Sequence, residues 1–169
     1  MALQSASLPS LSRMIARGDL DVAAETFSHG MRLTLWITIA TTVAAVGLAE
    51  PLVTLVFQRG SFDASASHET AKAFVAQAVG IWAVAAVRQL VAVYYALGDT
   101  RTPVKVAAID LVAFIVAAQL LSPLLGHAGV GYAVSIASIT QMSLLWFGLR
   151  NRLPKLYIKE TVKALLRSL

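Results

Sequence analysis

Three polar side chains lie inside long apolar runs of this 169-residue sequence. Gln77 and Arg88 are separated by three helical turns, which places them on the same face of a helix, and Asp110 belongs to the next apolar run. An arginine inside an apolar helix is costly unless it faces protein, water or an anion. The three residues are therefore candidates for binding a charged ligand.

A short polar segment separates the two runs, and we call it the hinge: YYALGDTRTPVK over residues 94–105. Gly98 can end a helix by adopting a left-handed conformation. Asp99 or Thr100 can then cap the following helix, and Pro103 fits only the first turn of that helix. The pattern predicts a tight helix-turn-helix connection. Its motif residues are Gly98, Asp99, Thr102, Pro103 and Lys105.

Arg88 and Asp110 lie at similar depths if the hinge joins antiparallel helices, at about 15 Å and about 10 Å from it. At those depths they can form an ion pair. One interpretation is a buried pair that only fixes helix packing. The other is a functional role, because buried ion pairs often add no net stability. The sequence leaves both interpretations open.

The composition is that of a membrane protein. Hydrophobic residues make up 57% of the chain, charged residues 14%, and the mean hydropathy is +0.71, whereas about a quarter of residues are charged in soluble domains. The net charge of +5 comes from cations in short loops between apolar runs, which argues against nucleic-acid binding. The lack of cysteine excludes disulfides and thiolate metal sites.

These apolar runs predict an all-α, polytopic transmembrane helix bundle. The four predicted spans cover about residues 33–57, 71–97, 103–121 and 128–149. The charge-free part of the first run rises about 25 Å as a helix, close to the hydrocarbon thickness. Glu50 and Pro51 interrupt that run, and Ser122-Pro123 together with residues 126–129 predict the turn before the last span.

Two stripes of small or hydroxyl side chains follow a helical period. The first consists of Thr34, Thr38, Thr41 and Ala45, and the second of Gly129, Ala133, Ala137 and Gln141. Such stripes bring membrane helices close together. We predict that both serve packing, with substrate lining as the alternative for the first stripe.

The flanks divide the chain into three parts. We predict a cytoplasmic connector with the end of a preceding helix over residues 1–32, the four-helix segment over 33–149, and a basic interfacial segment over 150–169. Within the connector, residues 19–29 can form an amphipathic surface helix or a solvated link. The apolar side of that helix would consist of Leu20, Ala23, Ala24 and Phe27.

The distribution of cations predicts the orientation. If the four spans alternate, eleven of the 14 Lys and Arg residues lie on the side of the hinge and the two flanks. Only Arg59 and Lys72 lie on the other side, with Arg88 inside. Because positive charge gathers on the cytoplasmic side, both termini of this chain are predicted to be cytoplasmic.

Nothing in the sequence indicates an enzyme. It contains no Gly-rich phosphate loop, no nucleophile–base pair and no His, Asp and Glu cluster with metal-ligand spacing. His127 has no ligand-spaced partner and is predicted to be an interfacial turn residue. We therefore predict no catalytic residue, no metal site and no cofactor.

Several ordered motifs, taken together, resemble those of the MurJ (MviN) lipid II flippases, within the multidrug/oligosaccharidyl-lipid/polysaccharide exporter superfamily. They are LPSLSR at 8–13, RGD at 17–19, GMRL at 30–33, FQRGSF at 57–62, the hinge, and GHAG at 126–129. The similarity extends over essentially the whole chain. The hinge, with its spacing to the earlier motifs, is its most specific part.

The resemblance implies a fourteen-helix protein of the bacterial inner membrane. Such a protein flips lipid II, the undecaprenyl-pyrophosphate-linked peptidoglycan precursor, by alternating access between two lobes. This chain would supply roughly helices nine to twelve, within the C-terminal lobe. Its implied partners are lipid II, the bilayer and the remaining helices of the transporter.

Among individual residues, the resemblance implies that Arg88 faces the anionic headgroup or the cavity. Some family members bind sodium through an Asn and an Asp, but Phe114 and Ala118 occupy those positions here, so no such site is predicted. Asp110 lies one turn earlier and does not inherit that role. Two alternatives stay open: export of another polyprenyl-linked glycan or a drug, and a non-transporting membrane fragment that needs a complementary half.

Overall fold

Helices account for most of the residues in the structure, a computed structural model that describes residues 10–59, 62–150 and 152. The helices are α1 over residues 10–16, α2 Leu20–Gly47, α3 Ala49–Phe57, α4 Ala64–Ala78, α5 Ile81–Ala96, α6 Arg101–Leu125 and α7 His127–Arg150. No strand occurs within these described ranges. The predicted all-α fold is confirmed.

Four helical rods are long and apolar enough to cross a membrane. They are α2, the α4–α5 rod over Ala64–Ala96, α6 and α7. The number and order of the predicted spans are therefore confirmed. Beyond Arg150 and Arg152, the predicted basic segment lies outside the described residues.

The first span begins earlier than the sequence predicts. Helix α2 starts at Leu20, so the polar residues before Leu33 continue directly into the span and form no separate surface helix. On the predicted apolar side, Ala23, Ala24 and Phe27 are buried, while Leu20 is exposed. This burial explains the continuity, because the apolar side packs against the rest of the bundle.

The end of the first span also differs from the prediction. Helix α2 ends at Gly47, and α3 leaves as a separate short helix after Leu48. Pro51 lies in the first turn of α3, where its missing N–H is not needed. The chain therefore turns just before the predicted Glu50-Pro51 break.

The third span is longer than predicted. Helix α6 continues through Pro123 to Leu125 and ends at Gly126, whose φ is +57°. The Gly126 N–H donates to the Ser122 carbonyl at 2.9 Å. Of the predicted turn, the Ser122-Pro123 part is wrong because both residues are helical, whereas Gly126 lies where the chain turns. A membrane helix tolerates an internal proline because neighbouring groups can pair with the freed backbone.

Helix α7 lies at the centre of the bundle and packs against α4, α5 and α6. Its predicted small-residue stripe is buried at Gly129, Ala133 and Ala137. A Cβ added at Gly129 would lie 2.5 Å from the Leu121 carbonyl oxygen, so α6 and α7 touch backbone to backbone there. Helix α6 in turn packs along α7 and scarcely touches α5.

Large side chains fill the hinge end of the bundle. The buried cluster consists of Leu11, Phe27, Met31, Ala86, Leu90, Val93, Tyr94, Val106, Leu145 and Leu149. Because lipid tails are as apolar as leucine, close van der Waals contact, and not escape from water, stabilises such a cluster. The large side chains therefore hold α1, α2, α5 and α7 together at this end.

Tyr94 carries the polar group of this cluster. It is fully buried, and its hydroxyl donates to the Leu145 carbonyl of α7 at 2.9 Å. A Cβ added at Gly148 would overlap that hydroxyl, while the next atom of the ring, Cζ, would lie at 3.6 Å. Gly148 is thus a glycine because the Tyr94 hydroxyl occupies the space of a side chain.

The Gly148→Ala variant should lower the melting temperature in detergent, corresponding to about 1–3 kcal/mol, the usual cost of overpacking. Tyr94→Phe alone should cost about 1 kcal/mol for the lost hydrogen bond. In a Tyr94→Phe background, Gly148→Ala should destabilise the protein little, because the nearest ring atom, Cζ, would then lie at 3.6 Å, an ordinary van der Waals distance. Gly30→Ala is the matched control, since a Cβ there meets nothing within 4 Å. Equal costs of Gly148→Ala with and without Tyr94→Phe would contradict this account.

Candidate functional site

Gln77 and Arg88 both lie on the outer face of the α4–α5 rod. Helix α5 buries Ala83, Ala86 and Leu90 against its neighbours, and Arg88 projects from the opposite face. Both Gln77 and Arg88 are exposed, and neither forms a hydrogen bond or ion pair with another residue of the described ranges. The two predicted residues are thus both exposed on one membrane-spanning rod, on either side of the turn at Val79 and Gly80.

Asp110 lies apart from these two residues. It is half-buried on α6, and its Oδ1 is shielded from solvent without a hydrogen-bond partner in the described part of the chain. The expected ion pair between Arg88 and Asp110 is not formed. The reason is that α6 packs along α7 instead of α5, so the short hinge does not make α5 and α6 packed neighbours.

The hinge has the conformation that its sequence predicts. Gly98 has φ +74° and donates to the Tyr95 carbonyl at 3.0 Å, and the Asp99 N–H donates to the Tyr94 carbonyl at 2.9 Å. These two bonds are the pair that closes a glycine-terminated helix. Pro103 is buried within the first turn of α6, and Lys105 is exposed two residues further along.

Asp99, and not Thr100, caps the helix that follows. Its Oδ1 accepts from the backbone N–H groups of Arg101 and Thr102, each at 3.0 Å, and its Oδ2 accepts from the Thr102 hydroxyl at 2.6 Å. The Thr102 hydrogen bonds, with help from the nearby Arg152, hold the pKa of the Asp99 carboxyl below its ordinary value. The Asp99 carboxylate therefore has a structural role, because it caps the N-terminus of α6.

Arg152 completes the hinge, a role that the sequence did not indicate. Its guanidinium lies 2.8 Å from Asp99 Oδ2 and 5.9 Å from the centre of the Tyr94 ring. The first residues after α7 are thereby tied to the connection between α5 and α6. The predicted topology places the Asp99 carboxylate and the basic segment of residues 150–169 on the same side of the membrane. Several cations of that segment could have been the partner of Asp99, so the sequence did not single out Arg152.

Gln89, beside Arg88, was also missed. Its amide donates to the Thr34 hydroxyl of α2 at 3.0 Å, next to a cleft of about 200 Å³ between α1, α2 and α5. Within the first predicted stripe, Thr38 and Thr41 instead donate to carbonyls of their own helix. Thr34 is therefore the member of that stripe that binds a neighbouring helix.

A wider cleft of about 650 Å³ opens at the end of the bundle opposite the hinge. It includes an exposed pair between His68 Nδ1 and Glu50 Oε1 at 3.2 Å, and another between Lys72 and Glu69 at 2.7 Å. Exposed pairs of this kind contribute little stability. His127 is exposed at the start of α7 nearby. Within the described ranges, no three His, Asp or Glu side chains are placed to hold a metal ion.

The sequence is similar to one family of known proteins. The profile of the family described as lipid II flippase MurJ matches residues 1–169. The chain is 30% identical over 152 residues to the lipid II flippase MurJ of Burkholderia cenocepacia, covering 90% of this chain and 30% of that protein. It is 29% identical over 149 residues to the probable lipid II flippase MurJ of Vibrio cholerae, covering 88% and 28%.

A solved structure described as lipid II flippase MurJ in an inward closed conformation shares the fold. The TM-score is 0.79 at 23% sequence identity, over 88% of this chain and 31% of that one. This chain therefore spans about a third of the length of the proteins it matches.

The hinge should be sensitive to pH. Because the pKa of Asp99 is lowered in the folded protein, its stabilisation is present above the unfolded value, near 3.9, and is lost as the pH falls through the folded value. The difference in melting temperature between the unaltered protein and Asp99→Asn should therefore shrink on acidification. Thr102→Val should reduce this pH dependence more than Arg152→Gln, since the Thr102 hydroxyl has the larger effect. The reverse order would contradict the assignment.

Proposed function

The chain belongs to the lipid II flippase MurJ family, and on that premise we propose that it forms helices nine to twelve of a lipid II flippase. In this proposal the complete transporter moves the undecaprenyl-pyrophosphate-linked peptidoglycan precursor across the bacterial inner membrane for cell wall synthesis. No covalent bond is made or broken, so the protein is a transporter and not an enzyme. Because the chain spans about 30% of its relatives, the remaining helices of the transporter are its proposed partners.

Arg88 is the observation that supports this proposal most directly. A guanidinium within a spanning rod is expensive in lipid, and here it has no partner among the described residues. A pyrophosphate offers it charged oxygen acceptors of the kind that arginine binds best. In the proposed transporter, Arg88 therefore faces the headgroup pathway, and Gln77 extends the same polar face toward the opposite end.

The exposed apolar surface is consistent with a part of a larger bundle. Helix α6 alone exposes large side chains along its whole length: Val104, Ile109, Leu111, Val112, Ile115, Val116, Leu120 and Leu124. Four rods do not enclose a cavity between two lobes. We propose that lipid covers part of this surface and that the remaining helices cover the rest, including the shielded but unpartnered oxygen of Asp110.

Arg88→Ala tests the substrate role. The flippase to use is a hybrid in which this chain replaces the matching segment of the Burkholderia cenocepacia relative. Translocation of lipid II in proteoliposomes should fall about tenfold, the effect of losing a hydrogen bond to a charged group, with unchanged amounts in the membrane. Arg88→Lys should retain part of the activity. Lys72→Ala, an exposed cation of the same rod, is the control. Full activity of Arg88→Ala would refute the assignment.

The proposed orientation places the hinge in the cytoplasm and Arg59 on the opposite side. Since the chain has no cysteine, single cysteines can be introduced without background. A membrane-impermeant maleimide should label Arg59→Cys in intact spheroplasts, and Arg101→Cys only after permeabilisation. Labelling of Arg101→Cys in intact cells would reverse the proposed topology.

A further inference from the structure

The α4–α5 rod is broken in the middle of the span, at Val79 and Gly80. The Val79 N–H still donates four residues back, to the Val75 carbonyl at 3.2 Å. The Gly80 N–H instead donates only three residues back, to the Gln77 carbonyl at 3.1 Å. The carbonyl of Ala76, which Gly80 would pair with in a continuous helix, is thereby left without its helical partner.

Ser135 of α7 supplies the missing donor. Its hydroxyl donates to the Ala76 carbonyl at 2.8 Å, and both residues are buried. Four other hydroxyls of the described helices donate to their own helix, four residues back: Ser28 to Ala24, Thr38 to Thr34, Thr140 to Ile136 and Ser143 to Ile139. Ser135 reaches a different helix because the break offers it an open carbonyl.

Only small side chains, those of Ser135 and Ala76, separate the two helices around this bond. A Cβ added at Gly80 would lie 2.7 Å from Ser135 Oγ, and one added at Gly131 would lie 2.7 Å from the Ala73 carbonyl oxygen. On the hinge side of the break, in contrast, α5 is fixed to α7 by large buried side chains and by the bond from Tyr94 to Leu145. The two halves of the rod are therefore held very differently.

We propose that the break is a two-state pivot and that Ser135 is the residue that selects its state. In the bent state described here, Gly80 pairs with Gln77 and Ser135 pairs with Ala76. In a straight state, the Gly80 N–H pairs with the Ala76 carbonyl, and the Ser135 hydroxyl turns to the carbonyl of Gly131 in its own helix. Both states make two hydrogen bonds, so in neither state is the Gly80 N–H, the Ala76 carbonyl or the Ser135 hydroxyl left unpaired in lipid.

The two states differ in how α4 leans on α7, while α5 stays in place. In the proposed transporter this motion would move Gln77 relative to Arg88 during alternating access, a use that rests on the proposed function. The pivot itself does not depend on transport. It rests on three observations at one position of the fold: the Gly80 N–H that pairs with Gln77, the Ser135 hydroxyl that pairs with Ala76, and the close contacts of Gly80 and Gly131.

The pivot can be tested by distance measurements between spin labels in lipid nanodiscs, using the cysteine-free chain. Labels at Lys72→Cys on α4 and Phe147→Cys on α7 report the lean of α4, and both positions are exposed. Labels at Tyr132→Cys and Phe147→Cys, both on α7, are the control pair. The unaltered protein should give one dominant distance for each pair.

Ser135→Ala should populate a second distance for the Lys72 and Phe147 pair, because only the straight state then satisfies the Ala76 carbonyl. The population ratio should change about fivefold, the factor expected for one lost hydrogen bond. Gly80→Ala should populate the same second distance, because its Cβ would lie 2.7 Å from Ser135 Oγ and 2.8 Å from Ser135 Cα, so α4 must move relative to α7 and the Ser135 bond is broken. Ser138→Ala removes a buried hydroxyl one turn away and should change nothing.

Two results would overturn the pivot. One is an unchanged distance distribution for the Lys72 and Phe147 pair in Ser135→Ala. If that variant fails to accumulate, an unchanged distribution in Gly80→Ala would equally overturn the pivot. The other is a parallel shift of the control pair, which would show general loosening of the bundle. Lipid II translocation plays no part in these readouts, so failure of the pivot is distinguishable from failure of the proposed function.

Discussion

Each backbone N–H and C=O group that lies in hydrocarbon must find its partner within the protein, because lipid offers none. Two interruptions of the described helices show how this requirement is met. At the hinge, where the chain leaves the membrane, local groups suffice: the Gly98 and Asp99 amides pair with the preceding turn, and the Asp99 carboxylate caps the next helix. At the α4–α5 break, which lies within a span, the open carbonyl of Ala76 needs a donor from another helix. That need explains why the break lies where Ser135 of α7 reaches it.

The bundle is packed in two different ways along its length. The hinge end is filled by large side chains such as Leu90, Tyr94 and Leu149, and Arg152 ties the end of α7 to the same hinge. The opposite half depends on glycine, alanine and serine contacts, as at Gly131 and Ser135. Small residues let the backbones of α4 and α7 approach closely, whereas large side chains fill the space between α5 and α7. In the proposed pivot, the hinge end is the fixed base and the opposite half is the part that moves.

Three charged groups within or next to the spans have different surroundings. The Asp99 carboxylate, at the membrane boundary, has several donors and a guanidinium, and so belongs to the structure. Asp110 is shielded by α6 and its surroundings, with one oxygen left without a partner among the described residues. Arg88 projects from an uncovered face of the α4–α5 rod. Because Arg88 has no partner among the described residues, its charge is available to a ligand or to a further part of the transporter.

The sequence by itself determined the features that depend on local chemistry and on the bilayer as solvent. Apolar run length fixed four spans, and the glycine, aspartate and proline of residues 98–103 fixed the hinge, because a left-handed residue and a cap act within a few residues of themselves. The continuous run over 71–97 hid the break at Gly80, and the short hinge suggested a pairing of Arg88 with Asp110 that the packing does not allow. Only the tertiary structure decided which helix lies beside which, and with it the partners of Ser135, Gln89 and Arg152. In lipid every helix is equally apolar, so apolar patterning does not select neighbours; close steric fit and a few polar contacts between helices do.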